Sequence, residues 1–207
     1  MCGRYLLDLP GAKLATMLGA VDRTDGFVPT WNAAPSQQLP VLGYNPATRE
    51  RSVVIMEWGL QPPWAASSTI RPQINARAET VAERPMFRSA FARRRCLVPM
   101  RGWYEWVSDH GHKAPWLLTP ACGDDDVPTA AGIWDTRTDA AGATRHSFAI
   151  ITCEAAPHIH HLHSRQPALI PASSRDAWLH PDQSSVRDLT AMLHASDISI
   201  AHWEVSR

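Results

Sequence analysis

The first residues of the chain, Met1-Cys2-Gly3-Arg4-Tyr5, carry its most distinctive chemistry. Removing an initiator methionine ahead of a small second residue exposes an amine and a thiol on adjacent carbons of Cys2. The pair condenses with one aldehyde: the amine forms an imine and the thiol closes it to a five-membered thiazolidine, which calls for no metal or diffusible cofactor. A free α-amine has a reference pKa of about 7.7–8.0, so an appreciable fraction is unprotonated near neutral pH. A second-position cysteine alone is more often an ordinary residue, and the reading depends on acid, base and binding groups supplied elsewhere.

Charge supplies part of that support. Between Arg71 and Arg101 there are eight arginines against Glu79 and Glu83, a local net of +6, whereas Gly102 to Arg207 carries seven basic and thirteen acidic residues, a net of −6. The chain is formally neutral, yet this layout steers a polyanion to one face. Arg4, Arg71, Arg77, Arg84, Arg88, Arg93, Arg94 and Arg95 are candidates for phosphate contacts, whose geometry a guanidinium matches bidentately; a solvated arginine face is the plain alternative. Trp31, Trp58 and Trp64 lie in turn-rich contexts suited to stacking on bases, with a core role equally open to each. Cys153-Glu154 and the run His158 to His163 contain zinc-ligand types. They lack the helical His-Glu-x-x-His spacing and a second ligand cluster, so no metal is expected.

The elements that must position these groups are partly readable. Pro10 to Gly19 reads as a helix with Leu14, Met17 and Leu18 on its apolar face. Ser52 to Trp58 reads as a strand and Gln61 to Trp64 as an ordered loop. Thr80 and Glu83 have the form of a capping box, which Pro85 interrupts, and Phe87 and Phe91 share a face. Cys96 to Pro99 and Gly102 to Trp106 read as strands separated by a bend; alternation places Trp103 and Glu105 on one side of the second, Tyr104 and Trp106 on the other. Gly102 is suited to a close backbone approach. Further strands are expected at Trp116 to Thr119, Ala131 to Trp134, Phe148 to Thr152, Ala168 to Ile170 and Ser199 to Val205. Cys122 to Pro128 reads as an exposed turn, and late helices are expected at Ser174 to Leu179 and from Ser185, capped by Ser185 and Asp188.

The pattern predicts an α+β protein, a single compact domain over residues 1–207 rich in strands, without the regular alternation of a doubly wound fold. An apolar fraction of 44% and a charged fraction of 19% exclude a disordered chain. No stretch approaches the roughly 20 apolar residues that span a bilayer, and no secretory signal opens the chain. Four irregularly spaced cysteines match neither a disulfide scaffold nor a zinc module, so an intracellular location is expected.

Across most of its length the sequence closely resembles the SOS-response-associated peptidase family of abasic-site-processing proteins. The resemblance is carried by Cys2-Gly3-Arg4-Tyr5, Trp31-Asn32-Ala33-Ala34-Pro35-Ser36-Gln37, Trp58-Gly59-Leu60, Ile74 to Thr80, Arg95 to Pro99, Gly102 to Trp106 and His163-Ser164-Arg165-Gln166-Pro167. It implies a curved mixed sheet or pseudo-barrel flanked by helices, and a monomer that captures abasic single-stranded DNA as a thiazolidine, with replication or repair proteins as further partners. On that resemblance Cys2 is the nucleophile, Asn75 positions the amine or sugar, Glu105 transfers protons, and His163 assists ring opening or imine chemistry. Arg4 and Arg77 are the preferred phosphate contacts, with Trp64 near the distorted strand. A cysteine-dependent peptidase and a noncovalent single-strand binder are the alternatives. The chain departs from the family pattern at Glu57, where a basic residue is usual, at Ala156 in place of asparagine, at Ser164 in place of an acid or asparagine, and at Gln166 in place of methionine.

Overall fold

The computed structural model describes residues 2–65, 70–109, 112–139, 141–182 and 185–206; the expected removal of Met1 lies outside them. Strand β1 (Tyr5–Leu7) leads into helix α1 (Gly11–Met17), then β2 (Val21–Arg23), β3 (Thr30–Ala33), β4 (Gln38–Asn45), β5 (Glu50–Trp58) and β6 (Asn75–Arg77). Helix α2 (Arg88–Arg93) is followed by β7 (Arg95–Pro99), β8 (Gly102–Asp109), β9 (His112–Pro120), β10 (Thr129–Thr138), β11 (Thr144–Glu154) and β12 (Arg165–Pro167). Helices α3 (Arg175–Leu179) and α4 (Val186–Ala191) precede β13 (Ile200–Glu204).

The strands form two sheets. One has the order β13-β9-β8-β1-β3; the other runs β12-β11-β10-β7-β4-β5-β2, with β6 paired to β11. In the second, β11 also pairs in parallel with β5 through Phe148 and Trp58. That contact closes β11, β10, β7, β4 and β5 into a small barrel, so the pseudo-barrel expectation holds. Gly59 sits at the closure with φ +143°, a backbone open to glycine, and its amide donates to the Phe148 carbonyl at 2.9 Å. Trp58 stacks on Phe148 at 6.4 Å and touches the Tyr5 ring at 5.2 Å, joining the barrel to the five-stranded sheet through aromatic packing.

Local rules account for much of this. Pro10 caps α1 from an extended conformation, φ −68° and ψ 156°, rather than occupying its first turn, and Gly19 ends the segment at φ +57°. Ser185 and Asp188 form the expected capping box of α4. Gly102 is required by close approach: a Cβ there would lie 2.6 Å from the Leu118 carbonyl oxygen.

Three expectations are corrected. Thr80 and Glu83 lie in consecutive turns, not at a helix start; Pro85 has no N–H and disfavours helical geometry at Arg84, so α2 begins only at Arg88. The late strand is Arg165–Pro167, with Leu169 forming only an isolated bridge to Ala130. The Cys122 to Pro128 turn is anchored, since Asp126 takes a bidentate contact from Arg175 at 2.7 and 3.0 Å.

Candidate functional site

Cys2 is fully buried at the head of β1, and Asn75 reaches it from the other sheet, its Nδ2 donating to the Cys2 carbonyl at 2.9 Å. Asn75 is fixed because β6 runs parallel to β11, opposite Ile150, and because Trp58 Nε1 holds the preceding Ile74 carbonyl at 2.9 Å. Its Oδ1 is buried and has no hydrogen-bond partner among the described residues. An acceptor beside the Cys2 backbone is thereby left available to an N–H donor.

Glu105 arrives from β8. The Tyr104 amide donates to the Arg4 carbonyl at 3.0 Å, continuing the Tyr5–Trp103 register and bringing Glu105 level with the Cys2-Gly3 segment. The alternation read from the sequence is observed: Trp103 and Glu105 are buried, Tyr104 is half-buried and Trp106 is exposed. Burial raises the Glu105 pKa above the usual carboxylate range, with the charge of His163 acting in the opposite direction. Burial likewise pushes the Cys2 thiol well above its usual value, and the Glu105 charge adds to that.

His163 follows a turn-rich segment pinned by buried Ile159 and Leu162. His163 Nδ1 lies 2.8 Å from the Arg165 amide nitrogen and 3.1 Å from the Arg165 carbonyl oxygen, so the Arg165 backbone fixes the ring. The exposed Ser164 side chain is not what orients the ring. Arg165 itself is engaged, making a bidentate pair with Glu79 at 2.6 and 3.0 Å and a bond to the Thr152 carbonyl. The pair holds Glu79 below the usual carboxylate range.

The departures from the family pattern have local partners. Gln166 is fully buried and its Oε1 accepts from the Ala156 amide at 2.9 Å, so these two departures meet in one contact. Glu57 lies 3.9 Å from Arg137, which balances its charge.

The arginines separate into two sets. Arg71, Arg77, Arg84, Arg88 and Arg93 are exposed, and no hydrogen bond or ion pair of their side chains is seen among the described residues. Arg94 pairs with Asp135 at 2.9 Å, and Arg95 is buried with its guanidinium on four backbone carbonyls. Those two are structural, which corrects their place among the phosphate candidates. Arg4 is half-buried and donates to the Gly3 carbonyl at 2.9 Å. Trp64 is 54% exposed on a loop tied down by Gln61, whose amide donates to Ser147 Oγ at 3.1 Å. Trp31 is exposed too, whereas Trp58 is core. Among the described residues no group of three or more His, Cys, Asp or Glu is arranged to hold a metal ion, and no helix is long and apolar enough to cross a membrane.

Sequence reasoning missed Tyr5. Its ring is fully buried, and its hydroxyl is enclosed with no hydrogen-bond partner among the described residues.

Comparison with known proteins places the chain in a family and shows its fold. Residues 1–207 match the family described as SOS response associated peptidase (SRAP). Abasic site processing protein YoqW of Bacillus subtilis (strain 168) is 30% identical over 202 residues, covering 95% of this chain and 88% of that protein. Abasic site processing protein HMCES of Mus musculus is 25% identical over 244 residues, covering 95% of this chain and 69% of its own length. A crystal structure of a protein from Bacteroides thetaiotaomicron superposes with a TM-score of 0.88 at 23% identity, covering 99% of this chain and 92% of that one, and shares its fold.

Proposed function

The chain belongs to the SOS response associated peptidase family, and for this member we propose that Cys2, Asn75, Glu105 and His163 form the centre that captures abasic DNA. The protein binds abasic sites in single-stranded DNA and joins them covalently through its cysteine. The observation that carries the assignment of residues is the Asn75 contact to the Cys2 carbonyl at 2.9 Å, with the other end of the same amide still buried and open to a donor.

The chemistry follows from the groups present. Once Met1 is removed, Asn75 Oδ1 accepts from the Cys2 amine and aims its lone pair at the aldehyde carbon of the ring-opened sugar. Attack gives a carbinolamine. Glu105, whose pKa burial raises, donates to the departing hydroxyl as the nitrogen lone pair forms the C=N bond and water leaves, and its carboxylate then takes the iminium proton to leave the neutral imine. The His163 ring assists opening of the sugar ring. The Cys2 sulfur then bonds to the imine carbon, the C=N pair returns to nitrogen, and the thiol proton ends there. Closure removes the imine that would promote strand cleavage, which shields the lesion.

Arg77 and Arg4 hold phosphates beside the site, and Trp64 rests against the distorted strand. Recognition reads backbone and missing-base geometry rather than base identity. All four central groups come from one chain, which supports action as a monomer, with replication or repair proteins as partners. The free cysteines fit a reducing, intracellular setting, cytoplasmic or nucleoid-associated in a bacterium.

Intact mass measurement of the mature protein after incubation with abasic and undamaged single strands tests the assignment. A stable adduct is expected with the abasic strand alone, and none with Cys2→Ala. The same stable adduct on Cys2→Ala would remove Cys2 from the mechanism.

A further inference from the structure

We propose that Glu79 is a positioning residue for His163, acting through Arg165: the carboxylate anchors the Arg165 guanidinium, and the Arg165 backbone in turn sets the His163 ring for opening of the abasic sugar. The proposal rests on the capture reading above and assigns a role to a residue outside the four central groups.

Each link is a contact in the structure. His163 Nδ1 lies 2.8 Å from the Arg165 amide nitrogen and 3.1 Å from the Arg165 carbonyl oxygen. Arg165 opens β12, a strand of three residues at the edge of its sheet, directly after the turn-rich segment that holds His163. Strand ends open locally at low cost, and at this one both backbone groups of the end residue lie against the ring. The guanidinium supplies the anchorage. Its two terminal nitrogens donate to Glu79 Oε1 and Oε2 at 2.6 and 3.0 Å, and Nη2 also donates to the Thr152 carbonyl of β11. That carbonyl accepts from the Ala78 amide too, at 2.9 Å. Glu79 follows β6, the strand of Asn75, so the pair ties the chain leaving Asn75 to the chain leaving His163.

A paired carboxylate whose side chain is 52% exposed adds little stability by charge alone. What the bidentate geometry supplies is direction, imposed on an Arg165 side chain that is only 17% exposed. The pair also holds Glu79 below the usual carboxylate range, so the clamp keeps its charge at neutral pH. Opening the sugar breaks its C1–O4′ bond: the hydroxyl on C1 gives up its proton as the aldehyde C=O forms, and O4′ gains one. No atom is lost. A ring that moves those protons works only in the right place, and the Arg165 backbone at Nδ1 leaves Nε2 for the transfer.

The test compares two aldehydes on mature protein. One strand carries the natural abasic sugar, which must open; the other carries an acyclic aldehyde that lacks the 4′ oxygen and is already open. Single-turnover crosslinking is followed by intact mass at saturating strand, so that affinity does not enter. Glu79→Ala should slow capture of the abasic strand roughly tenfold, within the range a misplaced catalytic group costs, and Glu79→Gln should slow it less. Both variants should capture the acyclic aldehyde at the wild-type rate, which also reports that they are folded. His163→Ala should show the same split, and adding Glu79→Ala to it should cost nothing further. Equal slowing on both strands would make Glu79 a general support of the fold and overturn the proposal, as would an unchanged abasic rate or a fully additive loss in the double variant. Failure of the capture reading itself would look different: wild type would form no adduct with either strand.

Discussion

Two buried polar clusters in this molecule are built to opposite rules. At Arg95 every need is met: Nε donates to the Trp178 carbonyl at 2.6 Å, one terminal nitrogen to the Phe91 and Ala92 carbonyls at 3.0 and 2.7 Å, and the other to the His180 carbonyl at 2.8 Å. Elsewhere polar atoms are left without a partner among the described residues, namely Asn75 Oδ1 beside Cys2 and, in the paired Tyr5 and Trp103, Tyr5 Oη and Trp103 Nε1. The first cluster ties α2, β7 and α3 together. The second bears a cost that folding alone does not recover.

That contrast is sharpened by mutation. The largest expected effect is on the satisfied side: Arg95→Met strands four buried carbonyls and should cost roughly 2–4 kcal/mol of stability by chemical denaturation, with the crosslinking rate per folded molecule unchanged. Loss of crosslinking at wild-type stability would erase the distinction. Glu105→Gln should reverse the pattern, slowing crosslinking by about a hundredfold, the usual scale for a lost general acid. Its stability effect has a definite sign. The folded-state pKa of Glu105 lies above its unfolded value, so its contribution is full below the unfolded pKa and is lost as pH rises through the raised one. A neutral glutamine escapes that loss, and the variant's melting temperature should gain on wild type as pH increases. A gain that shrinks with pH would contradict burial as the cause. The smallest effect belongs to the exposed set: Arg77→Ala should weaken strand binding a few-fold and lower the log–log salt slope by about 0.7, the value of one phosphate on a single strand. An unaltered slope would move the phosphate contact elsewhere.

The sequence showed the chemistry better than its supports. Alternation in Gly102 to Trp106 placed Glu105 inward, and the spacing of Ser185 and Asp188 located α4. Strand β6 is three residues long and has no period to read, so the position of Asn75 came only from family resemblance. Strand β4 contains Pro40 and Gly43, which break a strand signal although the barrel accommodates both. Arginines of one segment look alike until burial separates Arg95 from Arg77. Ser164 replaces an acid or asparagine beside His163, and the Arg165 backbone that holds the ring is invisible in a residue string. Ala156 and Gln166 stand ten residues apart, yet the Ala156 backbone amide donates to the Gln166 side chain, a contact that a residue string does not show.

Cys2 leads into the five-stranded sheet that carries Glu105, and Asn75 belongs to the strand set of the barrel. The reactive centre is therefore a seam, crossed by the Asn75 amide contact and the Trp58–Tyr5 ring pair. Slippage along it disarms the protein while both ladders stay whole, so alertness to damage is a more fragile property of this chain than its shape.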